Sequence, residues 1–311
     1  PEVVRNPELM RITNMEIETL TKITHKYIIK LHDHFPIANV YYLVYDYCEK
    51  GDLKANVDRQ GRFREYDALK IVYQMSEALC ELKRHLIIHR DIKPENIFLT
   101  NDLCKLGDFG LCFKGDRVQL NASVGSLGFL APETQMMLIY SSKADVYSLG
   151  ICYYEMIHGD IPFTQAQIED LYNVKMRLRI DRIPGIDISD FALNLMRRMV
   201  EPDEAKRIDC QEIRDILAPL YPEYQISPSQ TGGIHQIRRV GENSERLSTQ
   251  PDSTQPVSGM LQSNSLNNSY SQPATLYGVQ LQQTQQYQLP SQIPASNNLY
   301  TAADHISSPF P

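Results

Sequence analysis

Hydrophobic residues near the start of the chain recur at helical spacing. Leu9, Ile12, Ile17, Leu20 and Ile23 alternate with Glu8, Arg11, Glu16 and Lys22, which predicts an amphipathic helix over Asn6 to Thr24 with Pro7 in its first turn. The pattern then changes to two apolar β-type runs, Tyr27 to Leu31 and Val40 to Tyr45, with turn residues at Pro36-Ile37-Ala38-Asn39. Gly51-Asp52 opens a mainly helical region. Within it, Ala68, Ile71, Val72, Met75, Leu79 and Leu82 mark a core helix over Glu65 to His85. Short strands are predicted at Ile87-Ile88, Ile97 to Leu99 and Cys104 to Leu106, with a turn at Thr100-Asn101-Asp102. Helical periodicity returns at Ala144 to Ile157, Gln167 to Leu178, Ile188 to Val200 and Gln211 to Leu217. The result is an α+β arrangement, a small strand-bearing part followed by a larger helical part.

From about Glu223 this periodicity stops. Ser, Gln, Asn, Thr and Pro dominate, and lysine and cysteine disappear. Such a composition buries too little apolar surface to offset chain entropy, so residues 223–311 are expected to be a disordered tail. The tail is a place for a regulatory partner, or an inert linker. Ser227-Pro228 and Ser308-Pro309 are candidate modification sites in it.

Composition narrows the function classes. The 311 residues are 42% hydrophobic and 22% charged, as in an ordinary water-exposed globular protein, and the net charge of −7 argues against nucleic-acid or anionic-membrane partners. No apolar run approaches the roughly 20 residues that a membrane-spanning helix needs. The six cysteines are scattered without a C-x-x-C pair, which predicts reduced thiols and a cytoplasmic location, with the nucleus as the alternative. His25, His32 and His34 are close in sequence but lack a nearby cysteine, and read as surface residues rather than metal ligands.

The residues that suggest chemistry lie in one ordered series: His89-Arg90-Asp91-Ile92-Lys93-Pro94-Glu95-Asn96, then Gly107-Asp108-Phe109-Gly110, then Ala131-Pro132-Glu133. Taken singly, Asp91, Asn96 and Asp108 would read as turn and helix caps. As a set in register they resemble the eukaryotic protein kinases over about residues 1–222. The Asp-x-Lys-Pro-Glu-Asn form and the segment Gly125 to Glu133 resemble the Ser/Thr type, and Asn96 to Thr100, Lys105 to Gly110 and Tyr47 to Leu53 look most like the NimA-related kinases, with the Polo, Aurora and autophagy-initiating groups as neighbours.

The resemblance implies a two-lobed fold: residues 1–47 as a truncated small lobe, 48–222 as a large, mainly helical lobe, and the tail beyond. It implies ATP and Mg²⁺ as cofactors and protein Ser/Thr hydroxyls as acceptors. By the same resemblance, Asp91 is the catalytic base and Lys93 the γ-phosphate lysine, while Asn96 and Asp108 are the metal ligands. Tyr45 is the gatekeeper of the nucleotide pocket. Asp46 and Cys48 line the hinge, Asp52 reaches toward the ribose, and Glu95 and Phe98 complete the nucleotide side. Arg90 binds a phosphate on the activation segment, with Ser123 as the candidate acceptor, and Ser126 hydrogen-bonds to Asp91 and Lys93. Glu133 and Arg207 form a buried ion pair, Asp145 anchors the catalytic loop, Tyr147 replaces the family's usual Trp, and Leu20, Leu31, His89 and Phe109 form an aligning stack.

The Gly-rich loop and strand lysine of the family do not occur in this sequence. Glu16, with Glu18 as runner-up, matches the helix glutamate that pairs with that lysine. Two readings are open at this point. The chain, which begins with Pro1, is a fragment of a longer kinase, or it is a pseudokinase that binds partners without transferring phosphate. As it stands, it is expected to transfer phosphate weakly.

Overall fold

Residues 7–37, 40–164, 167 and 170–224 are described by the computed structural model, and all of them fall in one compact unit. The apolar pattern near the N-terminus becomes helix α1, Pro7–Lys22, with Pro7 at its start. Strands β1, Leu31–Ile37, and β2, Val40–Tyr45, pair as an antiparallel hairpin. Helix α2, Leu53–Gln60, is capped by Asp52, whose side chain accepts from the Ala55 amide. Helix α3, Glu65–Arg84, ends beside strand β3, Ile87–Ile88. A single 3₁₀ turn, Pro94–Asn96, then leads into the hairpin of β4, Ile97–Leu99, and β5, Cys104–Leu106.

Two of the expected boundaries are corrected. Tyr27, Ile28 and Ile29 do not form the first strand. They are a buried connector, and Ile28 makes only an isolated bridge to Leu106. The strand runs instead through the polar Leu31–Ile37 stretch. Pro36 and Ile37, expected in the turn, lie in the ladder opposite Tyr41 and Val40. A two-stranded sheet has only edges, so Pro36 removes no ladder hydrogen bond that a central strand would need.

The segment between Asp108 and Pro132, where no strand was expected from sequence, contains two short strands. β6, Phe113–Lys114, pairs with β3, and β7, Arg117–Gln119, pairs with β8, Ile139–Ser141. Helix α4, Pro132–Met137, lies between them in sequence. Helices α5, Ser142–His158, α6, Leu171–Met176, α7, Asp190–Met199, and α8, Cys210–Leu217, complete the large part. The α+β class expected from sequence holds.

Helix α5 runs through the core. Thirteen of its residues are buried, on every face, so it has no polar stripe and cannot exist without the helices around it. Helix α3 packs against both α5 and α8. The core is held at one point by a buried ion pair. Arg207 Nη1 and Nη2 donate to Glu133 Oε1 and Oε2 at 2.7 and 2.9 Å, and the guanidinium also donates to the carbonyls of Lys143, Glu201 and Pro202. It lies 5.1 Å from the Tyr147 ring centroid. This bidentate geometry, with the remaining donors satisfied, meets the condition under which a buried pair repays its desolvation. The Tyr147 hydroxyl is buried without a hydrogen-bond partner among the described residues, so at this position Tyr supplies a ring for Arg207 rather than a donor.

The chain after Tyr221 continues in a 3₁₀ turn, Pro222–Tyr224, and the Tyr224 carbonyl accepts from Lys26. The rest of the expected tail, with Ser227 and Ser308, lies outside the described residues.

Arg207→Ala would leave Glu133 buried and unpaired. It is expected to lower the unfolding free energy by about 3–5 kcal/mol, read as a shift in urea midpoint, whereas Lys206→Ala, which breaks the exposed pair with Asp203, should barely move it.

Candidate functional site

The loop between β3 and the 3₁₀ turn is hung on Asp145, in the first turn of α5. The Asp145 carboxylate accepts from the His89 amide at 2.8 Å and the Arg90 amide at 2.9 Å. Burial raises its carboxyl to about 7, against the lowering effect of those two amides. The loop backbone is strained where it is anchored: Arg90 has φ 72°, and Asp108 on the facing segment has φ 59°. Left-handed non-glycine residues cost about 1–3 kcal/mol each and concentrate at functional sites.

Asp91 is buried, and each of its carboxylate oxygens has protein partners. Oδ1 accepts from the Ser126 amide and hydroxyl, both at 3.0 Å. Oδ2 accepts from the Asn96 side-chain amide at 3.1 Å and pairs with Lys93 Nζ at 2.9 Å. Lys93 Nζ also donates to Ser126 Oγ at 3.1 Å. Burial opposes the charge on Lys93, but the Asp91 carboxylate outweighs it and holds the ammonium above its ordinary range. Asn96 donates a second bond to the Asp91 carbonyl at 2.8 Å, so its amide nitrogen is committed to the loop and its oxygen is left for another partner. The structure therefore brings Asp91, Lys93, Asn96 and Ser126 into one hydrogen-bonded group. Gly125 is required for this approach. Its φ is +104°, and a Cβ there would collide with the Arg90 carbonyl.

Asp108 is exposed, and Phe109 next to it is fully buried, edge-on to His89 with ring centroids 4.9 Å apart. His89 shares an interaction with the Gly107 carbonyl at 3.1 Å, and burial pushes its imidazole toward the neutral form. This is a packing histidine. Leu20 is buried in the same core cluster as Phe109, and Leu31 packs against that cluster.

Glu16 is distinguished from Glu18 by its surroundings. Glu18 is exposed and paired with Lys22. Glu16 faces inward, accepting from the Tyr45 hydroxyl at 2.7 Å and from the Phe109 backbone amide. Burial, with the nearby Asp108 charge, raises its carboxyl to about 7 against those two hydrogen bonds. Among the described residues no lysine or arginine forms an ion pair with it.

The residues expected around the nucleotide are more dispersed in role. Asp46 is bound to Lys105 at 3.0 Å, His32 at 2.8 Å and the Lys30 amide at 3.1 Å. Burial alone would raise its carboxyl, but these partners hold it below the usual carboxylate range. Burial pushes the half-buried Cys48 thiol up to about 11. Asp52, expected at a ribose, has Oδ1 committed to the α2 cap at 2.7 Å from Ala55, and it bridges to Phe98 through backbone. Phe98 is half-buried with its ring against Gly107, and Glu95 is exposed. Among the described residues no cluster of three or more His, Cys, Asp or Glu side chains forms a metal centre. His32 and His34 separate toward Asp46 and Tyr41, and the His25 ring meets Tyr27 edge-on.

Arg90 points away from Asp91. Its guanidinium donates to the Leu111 and Cys112 carbonyls and lies 5.9 and 5.5 Å from the Phe113 and Tyr140 ring centroids. Tyr140 was not legible as a site residue. Its hydroxyl accepts from the Val124 amide at 2.6 Å and donates to the Val124 carbonyl at 2.8 Å, fixing the backbone beside the exposed Ser123.

Comparison with known proteins accounts for this arrangement. A family model described as protein kinase domain matches residues 3–216. The chain belongs to the protein kinases. Curated relatives place it with the Ser/Thr kinases: it is 37% identical over 202 residues to an Aurora kinase of Yarrowia lipolytica (64% of this chain, 53% of the relative). It is 30% identical over 222 residues to serine/threonine-protein kinase 33 of Mus musculus (66% and 45%). It is 34% identical over 209 residues to serine/threonine-protein kinase cds1 of Schizosaccharomyces pombe (63% and 45%). This kinase chain spans about half the length of the curated relatives it matches.

The raised carboxyl of Glu16 sets a pH test. Its folded value, about 7, lies above the ordinary 4.5, so its contribution to stability is fully present below 4.5 and is lost as pH rises through 7. Glu16→Gln should therefore melt above the wild type at pH 8, and the gap should close toward pH 5. Asp145 titrates in the same window but is present in both proteins, so it drops out of the difference measured by thermal denaturation.

Proposed function

We propose that the site transfers the γ-phosphate of ATP to Ser or Thr hydroxyls of protein substrates. The observation that carries this reading is the Asp91 group. A buried carboxylate is presented on one side by Ser126 and balanced on the other by a lysine two residues along the chain. In this reading Asp91 orients the acceptor hydroxyl and takes its proton, and Lys93 offsets charge on the transferring phosphoryl. Residues 1–47 act as the small lobe and 48–222 as the large one.

The donor set suits a hard cation. Asp108 offers an exposed carboxylate and Asn96 an uncommitted amide oxygen, both of the oxygen type that Mg²⁺ prefers. When bound, Mg²⁺ would neutralise triphosphate charge. Tyr45, Asp46, Cys48 and Phe98 border the space expected to take the adenine. Arg90, whose guanidinium has carbonyl and ring partners but no carboxylate among the described residues, is available to a phosphate on Ser123.

A second reading, a domain that binds partners without phosphate transfer, is favoured by one observation: Glu16 is satisfied by a tyrosine hydroxyl rather than by a cation. The two readings differ in a measurable way. Under the first, radiolabelled ATP and a Ser/Thr peptide mixture give transfer that falls by at least about 10²-fold in Asp91→Asn and in Asp108→Ala. Under the second, the wild type gives no transfer above the level of either variant.

A further inference from the structure

Lys175, near the end of α6, is fully buried. Among the described residues no carboxylate forms an ion pair with it. Its Nζ donates to the Leu127 carbonyl and to the Leu130 carbonyl, both at 2.7 Å, and lies 5.5 Å from the Phe163 ring centroid. Burial drags its ammonium down to about 7, with Glu133 the one charge pulling the other way. A neutral amine still carries two N–H groups, so the two carbonyl bonds survive loss of the proton.

Both carbonyls belong to one turn. Within it the amides of Phe129 and Leu130 donate to the Ser126 carbonyl at 2.8 and 3.2 Å. The other end of that turn is Ser126 itself, whose amide and hydroxyl lie on Asp91. The turn is thus held at its inner end by the Asp91 group and at its outer end by a lysine 45 and 48 residues later in the chain. Its side chain Leu127 stays 43% exposed between these two fixed points. A buried lysine is costly, and a methionine would fill the same space more cheaply, so packing alone does not explain its presence.

We propose that Lys175 is a positioning residue for the acceptor, holding the turn Ser126–Leu130 so that Leu127 is presented to the residue that follows the phosphorylated hydroxyl. This rests on the kinase reading of the site and deepens it. Lys175 touches neither the nucleotide nor the acceptor hydroxyl. It acts through backbone carbonyls, so it bears on which acceptor sequence is held, not on binding of ATP.

The test uses the whole chain with K175M, K175R or K143M. Lys143 also donates to backbone carbonyls, those of Glu204 and Ala205, but away from the turn, and so controls for general loss of a lysine. In K175M the Phe129 and Leu130 amides should exchange about tenfold faster while α5 amides keep their protection. Preference among serine peptides differing only in the residue after the serine should flatten, with affinity for an ATP analogue unchanged. K175R should recover part of both effects, and K143M should reproduce neither. Unchanged exchange and preference in K175M would overturn the proposal. So would equal changes in K143M, or a parallel loss of α5 protection and nucleotide affinity. A wild type that transfers no phosphate to any peptide would remove the kinase reading instead, and exchange in the turn alone would then uphold or overturn the role of Lys175.

Discussion

Everything in the site depends on one buried carboxylate. Asp145 has few routes to satisfaction inside α5, a helix without a polar face, and it finds two in the consecutive amides of His89 and Arg90. Two amides accepted side by side hold both the position and the direction of the loop. They also help offset the cost of Arg90's left-handed backbone, which turns its guanidinium away and its neighbour Asp91 inward. The most deeply packed helix is thereby coupled to the most chemically exacting loop. Precision at Asp91 is inherited from the core as well as from the loop's own Lys93 and Asn96.

The segment after Asp108 is tied down in the same manner, by partners that are remote in sequence. β6 lies on β3, and β7 lies on β8. Tyr140 clasps the backbone of Val124, and Lys175 gathers the carbonyls of Leu127 and Leu130. Glu133 and Arg207 close the far end. Between these ties the side chains that face outward include Ser123 and Leu127. A segment fixed at intervals by backbone contacts can present one or two side chains with small entropic cost on binding.

The small part of the chain shows what happens when such a tie is supplied differently. Glu16 reaches the Phe109 amide and so links α1 to the segment that carries Asp108, and the Tyr45 hydroxyl links the same carboxylate to β2. A neutral donor compensates a buried carboxylate less than a cation would, and the carboxyl accordingly titrates near neutrality. Gly110 reinforces the link: any Cβ there would meet Ile12 of α1.

How much of this was legible follows from range. Asp91, Lys93 and Asn96 lie within six residues, and their order with Asp108 carries the resemblance to the kinases, so this set could be named from sequence alone. The core helices were legible because burial imposes a 3.6-residue period on whatever packs. Tyr140 and Lys175 were not. They act on backbone 16 to 48 residues away, and the nearest signal was a lysine four residues after Leu171, in phase with an apolar face. Asp52 was expected only at a ribose, and the position of α2 decided that one of its oxygens caps that helix. The strand at Leu31–Ile37 was hidden by polar composition, because a two-stranded ladder is specified by its partner rather than by burial of its own residues. In sequence Glu16 was preferred to Glu18 only through the family resemblance. Tertiary structure separated them, by turning one toward Tyr45 and the other toward water, because a helix face acquires meaning only from what packs against it.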